Sequence, residues 1–352
     1  IFTADDGFAS DLWLADELGK RGLQLTSYII TDYRDNPPAT GYMTWDQVRD
    51  LASHNNVQIG SHSHKHIAVN GHTATTVEKY GASSDAIAQL QSIADGAVTL
   101  NGSVGAAAFD RPRHVTISCS GTNFAIYWDV VGEYRGKAVS ERIYAFSNDY
   151  TPRSTRAIFD KVTSITCSLN GRSALGSVRF GTSMSYDEIF YDVERSFLEL
   201  ESRGISSPLD RHFCAPYGVT NDTLFQVLQD LSVKTCRATK QQLTAFGQSC
   251  DFYTIPSAQW DSTNYTNKPL QLQWVTEGGA SFVVYTHEVL DSGAVAGQAN
   301  KADLLPFMDA VAALVATGQA TSPTMSELYA QSRPSGPNRA AQALTTPWRY
   351  TI

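Results

Sequence analysis

The sequence predicts an α/β fold: a parallel, barrel-type arrangement of strands and helices, interrupted in its middle by a small antiparallel β-sandwich. Three observations carry this prediction. Residues 1–61 alternate apolar, β-branched runs with stretches of helical period, in the order β-α-β-α-β. Between Arg113 and Gly181 that alternation stops, and short β-rich runs separated by turn residues follow one another. From Ser185 the strand and helix alternation resumes. The expected division is therefore residues 1–99 and 184–352 for the barrel and 100–183 for the insertion, in a chain of 352 residues that exceeds the usual size of a single core.

Taken in order, the chain opens at Ile1 inside a first strand, and Gly7 permits a sharp turn after it. Ser10 is placed to cap a helix on which Leu12, Ala15 and Leu18 recur at helical spacing, with Gly22 beyond its end. Leu23 to Thr31 reads as a buried strand. Thr44 and Gln47 form a capping box for a second helix with Val48 and Leu51 inward, and Val57 to Ser61 is the next strand. In the insertion the β-rich runs are His114 to Cys119, Phe124 to Val131, Ala138 to Tyr144, Lys161 to Cys167 and Ser177 to Phe180. Ser185 and Glu188 then open a helix carrying Ile189, Val193, Phe197 and Leu200, and Asp210 to Ala215 runs as a strand into Pro216-Tyr217-Gly218. Asn221 caps a helix through Leu224, Val227 and Leu228. Val233 to Arg237, Tyr253 to Pro256 and Ser281 to Thr286 are further strands, and Ala302 to Thr317 is the last long helix. The tail from Gln331 to Ile352, with three prolines, is expected to be extended.

Composition narrows the function classes. Hydrophobic content of 42% and charge of 18% describe an ordinary globule, and no apolar run is long enough to span a bilayer. With 27 basic and 35 acidic residues, net charge −8, a nucleic-acid surface is disfavoured, whereas a neutral partner such as a glycan is compatible. Five cysteines, Cys119, Cys167, Cys214, Cys236 and Cys250, lie far apart without a C-x-x-C pair, which suggests neither a zinc ribbon nor a disulfide framework. An opening inside a strand, with no initiator Met or signal segment, implies a piece of a longer protein from which targeting cannot be read.

Chemistry concentrates in two stretches at the carboxyl ends of predicted strands, where parallel barrels place their sites. His62, His64 and His66 crowd the end of one strand; His62 and His66 stand four apart, so a tight loop can turn both rings to one point. Asp5 and Asp6 follow the first strand. Adjacent residues there point in different directions, so one carboxylate can bind an ion while the other stays free as a base. Two imidazoles and a carboxylate make zinc the default, with cobalt, nickel or manganese able to take the same ligands.

Thr3-Ala4-Asp5-Asp6-Gly7 resembles the T-F-D-D-G motif of the polysaccharide deacetylases of the NodB-homology type, carbohydrate esterase family 4, and His62-Ser63-His64-Lys65-His66 fits their H-[S/T]-x-x-H motif. The resemblance implies a distorted parallel (β/α) barrel with a divalent metal. Carried over by position, it implies Asp6, His62 and His66 as ligands and Asp5 as general base; His64 falls on an unassigned position. The third motif, R-x-P-Y, maps onto Cys214-Ala215-Pro216-Tyr217. Pro216 and Tyr217 match and would line the substrate, with the backbone N–H of Tyr217 stabilising an oxyanion. Cys214 stands where the family's arginine would orient the base, and Arg211 or Arg237 is the expected replacement. His287, after the run Ser281 to Thr286, resembles the histidine of the final L-x-H motif, with Tyr285 in the leucine position, and would be the proton donor. Pro323 to Leu328 resembles the closing strand.

Trp260 is a candidate to stack on a sugar ring. The insertion resembles, through Val162-Thr163-Ser164-Ile165, a β-module of bacteriophage structural and tail proteins. Together these imply an enzyme that removes N- or O-acetyl groups from a capsular or other bacterial surface polysaccharide, extracellular or on a virion, and a trimer if it is a tail protein. A non-catalytic glycan-binding module that keeps the fold is the alternative, and the change at Cys214 is its motive. A phosphate ester as substrate is disfavoured because no Lys/Arg clamp accompanies the motifs.

Overall fold

The computed structural model describes residues 1–35, 37–69, 83–119, 124–146, 153–171, 176–238, 252–261, 272, 276 and 281–332. Strand β1 (Phe2–Ala4) is followed by helix α1 (Ser10–Gly19), β2 (Leu25–Ile29), α2 (Trp45–Ser53) and β3 (Val57–Ser61). The Thr44–Gln47 capping box closes in both directions, so two donors at the start of α2 are satisfied locally. Ser10 does not cap α1. It lies inside the helix, and its hydroxyl accepts instead from the Val289 N–H at 2.9 Å, tying the first helix to a short two-residue strand, Val289–Leu290, outside the main sheet.

Seven antiparallel strands come next: β4 (Ser83–Ser92), β5 (Gly96–Ala97), β6 (Ala108–Cys119), β7 (Phe124–Tyr134), β8 (Lys137–Phe146), β9 (Arg153–Ser168) and β10 (Ser177–Thr182). Hydrogen bonding runs through them in one path, β4-β10-β6-β9-β7-β8, with β5 on β9. The antiparallel sheet thus draws on β4, ahead of residue 100, because β4 pairs with β10. It encloses its own core, in which Ile87, Val115, Trp128, Phe159, Val162 and Phe180 are buried together. The joint to the rest of the chain is ionic: Arg113, 1% exposed, donates to both carboxylate oxygens of Glu188 at 2.7 and 2.8 Å. Glu188 also completes the capping box at the start of the next helix, so one carboxylate serves the helix and the joint.

That helix, α3 (Tyr186–Ser202), leads into β11 (His212–Cys214), α4 (Asp222–Asp230), β12 (Thr235–Arg237), β13 (Ala258–Gln259), β14 (Val284–Thr286), α5 (Lys301–Ala316) and α6 (Met325–Gln331). Two expectations are corrected. The strand predicted at Tyr253 to Pro256 begins later, at Ala258, and only Ile255 of the earlier segment forms a bridge, to Arg237. The closing strand is a helix, because Thr324 and Glu327 form a capping box that opens α6. Cys250 and the tail beyond residue 332 lie outside the described residues; Cys167 and Cys214 are free thiols.

Among the described residues the first sheet has seven parallel strands in the order β12-β11-β3-β2-β1-β14-β13. The bridge from Arg237 to Ile255 joins β12 to the segment entering β13, which brings the two edges of the curled sheet together. Helices α1, α2 and α5 pack Leu14, Leu18, Val48, Leu51, Leu304 and Met308 against one part of it. Helices α3 and α4 pack Ile189, Val193, Phe197, Leu224 and Val227 against another. No described helix is long and apolar enough to cross a membrane. Register sets the mouth of the barrel: Ala4 pairs with Thr286 and Ser27, Ile29 with Ser61, and Cys214 with Arg237, so the residues after these positions emerge at one level.

Gly60 shows how tight the strand below the histidines is, since a Cβ there would lie 2.6 Å from the Tyr28 ring and 3.0 Å from the His212 carbonyl oxygen. Gly60→Ala is expected to destabilise the fold by about 1–3 kcal/mol through overpacking, read as a lower urea midpoint at unchanged slope.

Candidate active site

Three loops meet at the mouth of the barrel, and each holds its functional side chain by local backbone chemistry. After β1 the chain continues the ladder for one more residue, with the Asp5 N–H on the Thr286 carbonyl at 2.9 Å, and then turns. Asp6 takes a left-handed conformation (φ 71°), which sends its side chain away from that of Asp5. After β3 the His62 N–H donates to the Ile29 carbonyl at 2.9 Å, and the loop then turns through left-handed Ser63 and His66. Ser63 stabilises its own turn: its hydroxyl accepts from the His66 N–H at 2.8 Å. Helix α3 supports this loop from behind, with Asp192 accepting from the Lys65 N–H at 2.9 Å and Ser196 hydrogen-bonded to Ser61 at 2.7 Å.

The result is convergence. Asp6 Oδ1 lies 3.3 Å from His62 Nε2 and 3.4 Å from His66 Nε2, and these ligand atoms face one another within 4.8 Å. Asp6 Oδ1 is buried and receives no hydrogen bond, because the imidazole nitrogens stand around it at ligand spacing rather than pointing a proton along its lone pair. His62 Nδ1 is 2.9 Å from the Cys214 carbonyl oxygen, which assigns the Nδ1 proton to that bond and turns Nε2 towards Asp6. Burial opposes ionisation of Asp6, but the imidazoles of His62 and His66 standing against it hold the carboxyl well below the usual range. Burial, and then the neighbouring His62, push His66 down to about 4, so its ring is neutral near pH 7. An oxygen and two imidazole nitrogens, two of them on rings only 2% and partly exposed, form a donor set that fits a divalent ion.

Asp5, 3% exposed, faces a different partner. Both of its carboxylate oxygens accept from Arg237 Nη2, and the same nitrogen is 2.8 Å from Cys214 Sγ. The guanidinium is wholly buried, donates to Ser257 at 2.7 Å, and lies 4.4 Å from the Tyr285 ring centroid and 5.5 Å from that of Tyr28. Of the two arginines expected to replace the one missing at Cys214, Arg237 is therefore in place. Arg211 is not: it pairs with Glu201 at 2.7 and 3.0 Å on the outside of the barrel. Asp5, His62 and Cys214 also stand close enough to form a second ligand set. We favour the first, because the cation position beside Asp5 and Cys214 is already taken by Arg237 and His62 Nδ1 is committed to a carbonyl.

The remaining predicted residues divide. Pro216 opens a short 3-10 turn in which Tyr217 is left-handed (φ 56°), and the Tyr217 ring, 41% exposed, lies tilted at 37° to the His66 ring with centroids 4.6 Å apart. His287 follows β14 directly, is half-buried, contributes to the field at Asp6, and its Nδ1 has no hydrogen-bond partner among the described residues. Trp260 is a correction: it is 2% exposed and packs in the core against Phe2 and Phe307, with ring centroids 5.9 and 4.4 Å away, so it cannot stack on a sugar. His64 stands apart, bonded to the Thr31 hydroxyl at 2.9 Å.

Arg34 went unnoticed in the sequence. Its buried guanidinium donates to the carbonyls of Gly7 (2.6 Å), Met43 (2.7 Å) and Asp6 (3.0 Å), pinning the loop that carries the carboxylates. An arginine just past a buried strand is the signal that was available, but nothing local says that three distant carbonyls await it.

No family model matches the chain, and no curated protein matches it. Solved structures similar to it include a deacetylase domain of BpsB from Bordetella bronchiseptica, at 14% identity and a TM-score of 0.35, covering 82% of this chain and 72% of that one. A family 4 carbohydrate esterase from Streptomyces lividans in complex with acetate is similar at 14% identity and a TM-score of 0.40, over 92% of this chain and 91% of that one. A de-N-acetylase from Aggregatibacter actinomycetemcomitans is similar at 13% identity and 0.33, over 73% and 68%. At that distance the geometry of the site has to carry the functional reading by itself.

Two outcomes follow from the geometry. In zinc titrations, Asp6→Ala, His62→Ala and His66→Ala should each weaken binding by more than the roughly 10–100-fold lost when a partner behind a ligand is removed, while Asp5→Asn should still bind. Arg237→Ala should lower the unfolding free energy by about 3–5 kcal/mol in urea, because it leaves the Asp5 carboxylate buried without a counter-charge.

Proposed function

We propose that this chain is a metal-dependent hydrolase that removes acetyl groups from a bacterial surface polysaccharide. The observation that carries the reading is the split between neighbouring carboxylates: Asp6 converges with His62 and His66, while Asp5, one residue away, is held by Arg237. A site with three protein ligands on one side and an open mouth on the other matches a catalytic ion rather than a structural one. A divalent ion there, zinc by default, supplies Lewis acidity that makes a water nucleophilic at neutral pH and polarises the acetyl carbonyl.

The chain's own residues do the rest. Asp5 takes the proton of the attacking water; Arg237 fixes the direction of its carboxylate, and the buried setting keeps competing water away. The turn at Pro216 carries Tyr217, whose ring lies against His66, and the backbone N–H of Tyr217 is the donor that meets the developing oxyanion. His287, on the other wall with an unpartnered ring nitrogen, protonates the departing amine or hydroxyl. Roles of this kind serve N-acetyl and O-acetyl groups alike.

The reading as a silent glycan-binding module rested on the arginine missing at Cys214, and Arg237 beside Asp5 removes its motive. The antiparallel insertion, which resembles phage tail modules, supports a virion-borne protein acting on host capsule, as a trimer on the tail. We take residues 100–183, extended by β4, as that insertion.

Incubated with acetylated capsular polysaccharide, the protein should release acetate by NMR, stop on chelation and resume with zinc. Asp5→Asn should keep its zinc and lose about 10²–10⁴-fold in turnover. Arg237→Ala should lower turnover, whereas Arg211→Ala should not. Wild-type rates in Asp5→Asn, His62→Ala and His66→Ala together would end the proposal.

A further inference from the structure

Two side chains move protons in the reaction above, Asp5 and His287, and one buried ring meets the support of the first and the side of the second. Side chains two apart on a strand point the same way, so Tyr285, which pairs with Thr3 of β1 and Gln259 of β13, stands one level below His287 on the inner face of the barrel. By the same alternation Asp5 stands one level above Thr3, its N–H continuing the ladder to the Thr286 carbonyl. Tyr285 is 7% exposed and tied at both ends: its carbonyl accepts from the Trp260 N–H at 2.7 Å, and its hydroxyl donates to Gln259 Oε1 at 3.2 Å. The ring therefore has a fixed place before any substrate arrives.

Hydrogen bonds hold the Arg237 guanidinium at two nitrogens, Nη1 on Ser257 and Nη2 on Asp5 and Cys214, while Nε has no hydrogen-bond partner among the described residues. A planar group bonded at two points can still turn about the line that joins them. The Tyr285 ring, its centroid 4.4 Å from the guanidinium carbon, resists that turn and attracts the cation. Tyr285 also meets His287 edge-on, with centroids 5.6 Å apart at 78°. Nδ1 of that imidazole has no hydrogen-bond partner among the described residues, so no bond from it sets the plane of the ring, and the contact with Tyr285 limits its rotation instead. Position 285 resembles the leucine of the L-x-H motif, and an aliphatic side chain has no π face to offer a cation. An arginine brought in from β12 and an aromatic ring at 285 therefore belong together.

We propose that Tyr285 is a positioning residue for the hydrolysis: its ring holds Arg237 against Asp5 and keeps the His287 imidazole turned to the departing group, so that one side chain aligns both proton transfers. This rests on the acetyl-hydrolase reading and adds to it a residue that sets turnover by acting through two others. Alignment of that kind is worth a great deal, since a displacement of about 1 Å passed on from a supporting residue can cost on the order of 10²-fold in rate.

Steady-state kinetics of the zinc-loaded protein on an acetylated amino-sugar oligomer and on an activated aryl acetate, whose leaving group departs without a proton, test this. Tyr285→Leu should lower kcat on the oligomer about 10–100-fold with KM within about three-fold and zinc content as in the parent. On the aryl acetate its loss should be smaller, because only the base is then in play. Tyr285→Phe, which keeps the ring, should restore kcat to within about five-fold of the parent. In an Arg237→Lys background, where the planar cation is gone, the leucine change should cost less than it does alone. Tyr285→Met takes its place if the leucine variant does not fold. The proposal is overturned by parent turnover in Tyr285→Leu, by a loss confined to KM, by equal losses on the two substrates, or by an undiminished loss in the Arg237→Lys background. A parent that releases acetate from neither substrate is a different result: it ends the hydrolase reading, and this proposal with it.

Discussion

Two adjacent carboxylates are buried at the mouth of one barrel, and each has to be compensated separately. Asp5 and Asp6 are 3% and 8% exposed, and ionised groups so placed cost several kcal/mol unless paired. The left-handed turn at Asp6 resolves the conflict by sending the two side chains to different partners. Asp5 receives a permanent cation, Arg237; Asp6 receives two imidazoles whose Nε2 atoms face its Oδ1 at a spacing that suits a shared ion. That division separates a base from a ligand, and the rest of the site follows from it. Arg34 holds the turn itself by binding its carbonyls, and left-handed residues at Ser63, His66 and Tyr217 aim the surrounding groups at the same point.

The arginine beside Asp5 also shows how a barrel tolerates relocation of a charge. In register, Cys214 and Arg237 are neighbours on β11 and β12, so a guanidinium leaving one strand can be met from the next without moving the carboxylate. The small thiol at 214 leaves room for Nη2 to pass, and Tyr28, Tyr285 and Ser257 form the slot that receives the long side chain. The antiparallel insertion has its own core, and it meets the barrel through contacts that include the buried pair of Arg113 and Glu188 on α3 and the bond from His114 to Thr223 on α4. Helix α3 also braces the histidine loop through Asp192 and Ser196, so the insertion and the site share it as a support.

What was legible in the sequence was what local chemistry dictates. The capping boxes at Thr44 and Ser185 and the cap at Asn221 placed three helix starts correctly, because each is complete within four residues. That the Asp5-Asp6 pair would meet His62 and His66 could be foreseen because parallel strands deliver their carboxyl ends to one level, whereas the choice of Asp6 as the facing carboxylate came from the motif resemblance. Features decided by distant partners were not legible. The capping box at Thr324 was passed over for a strand, the cap expected at Ser10 was diverted to Val289, and β4 was missed because only its pairing with β10 defines it. Trp260 was read as a sugar platform because an isolated aromatic does not reveal which way it faces; Phe2 and Phe307 decide that. Arg237 could be named only as one of two candidates, since the choice depends on the neighbouring strand.

X-ray absorption at the zinc edge of the loaded protein tests the central claim most directly. The account predicts nitrogen and oxygen neighbours only, two imidazoles and carboxylate oxygen at about 2.0–2.2 Å, with one imidazole lost in His66→Ala. A sulfur neighbour at about 2.3 Å, placing the ion among Asp5, His62 and Cys214, would contradict it.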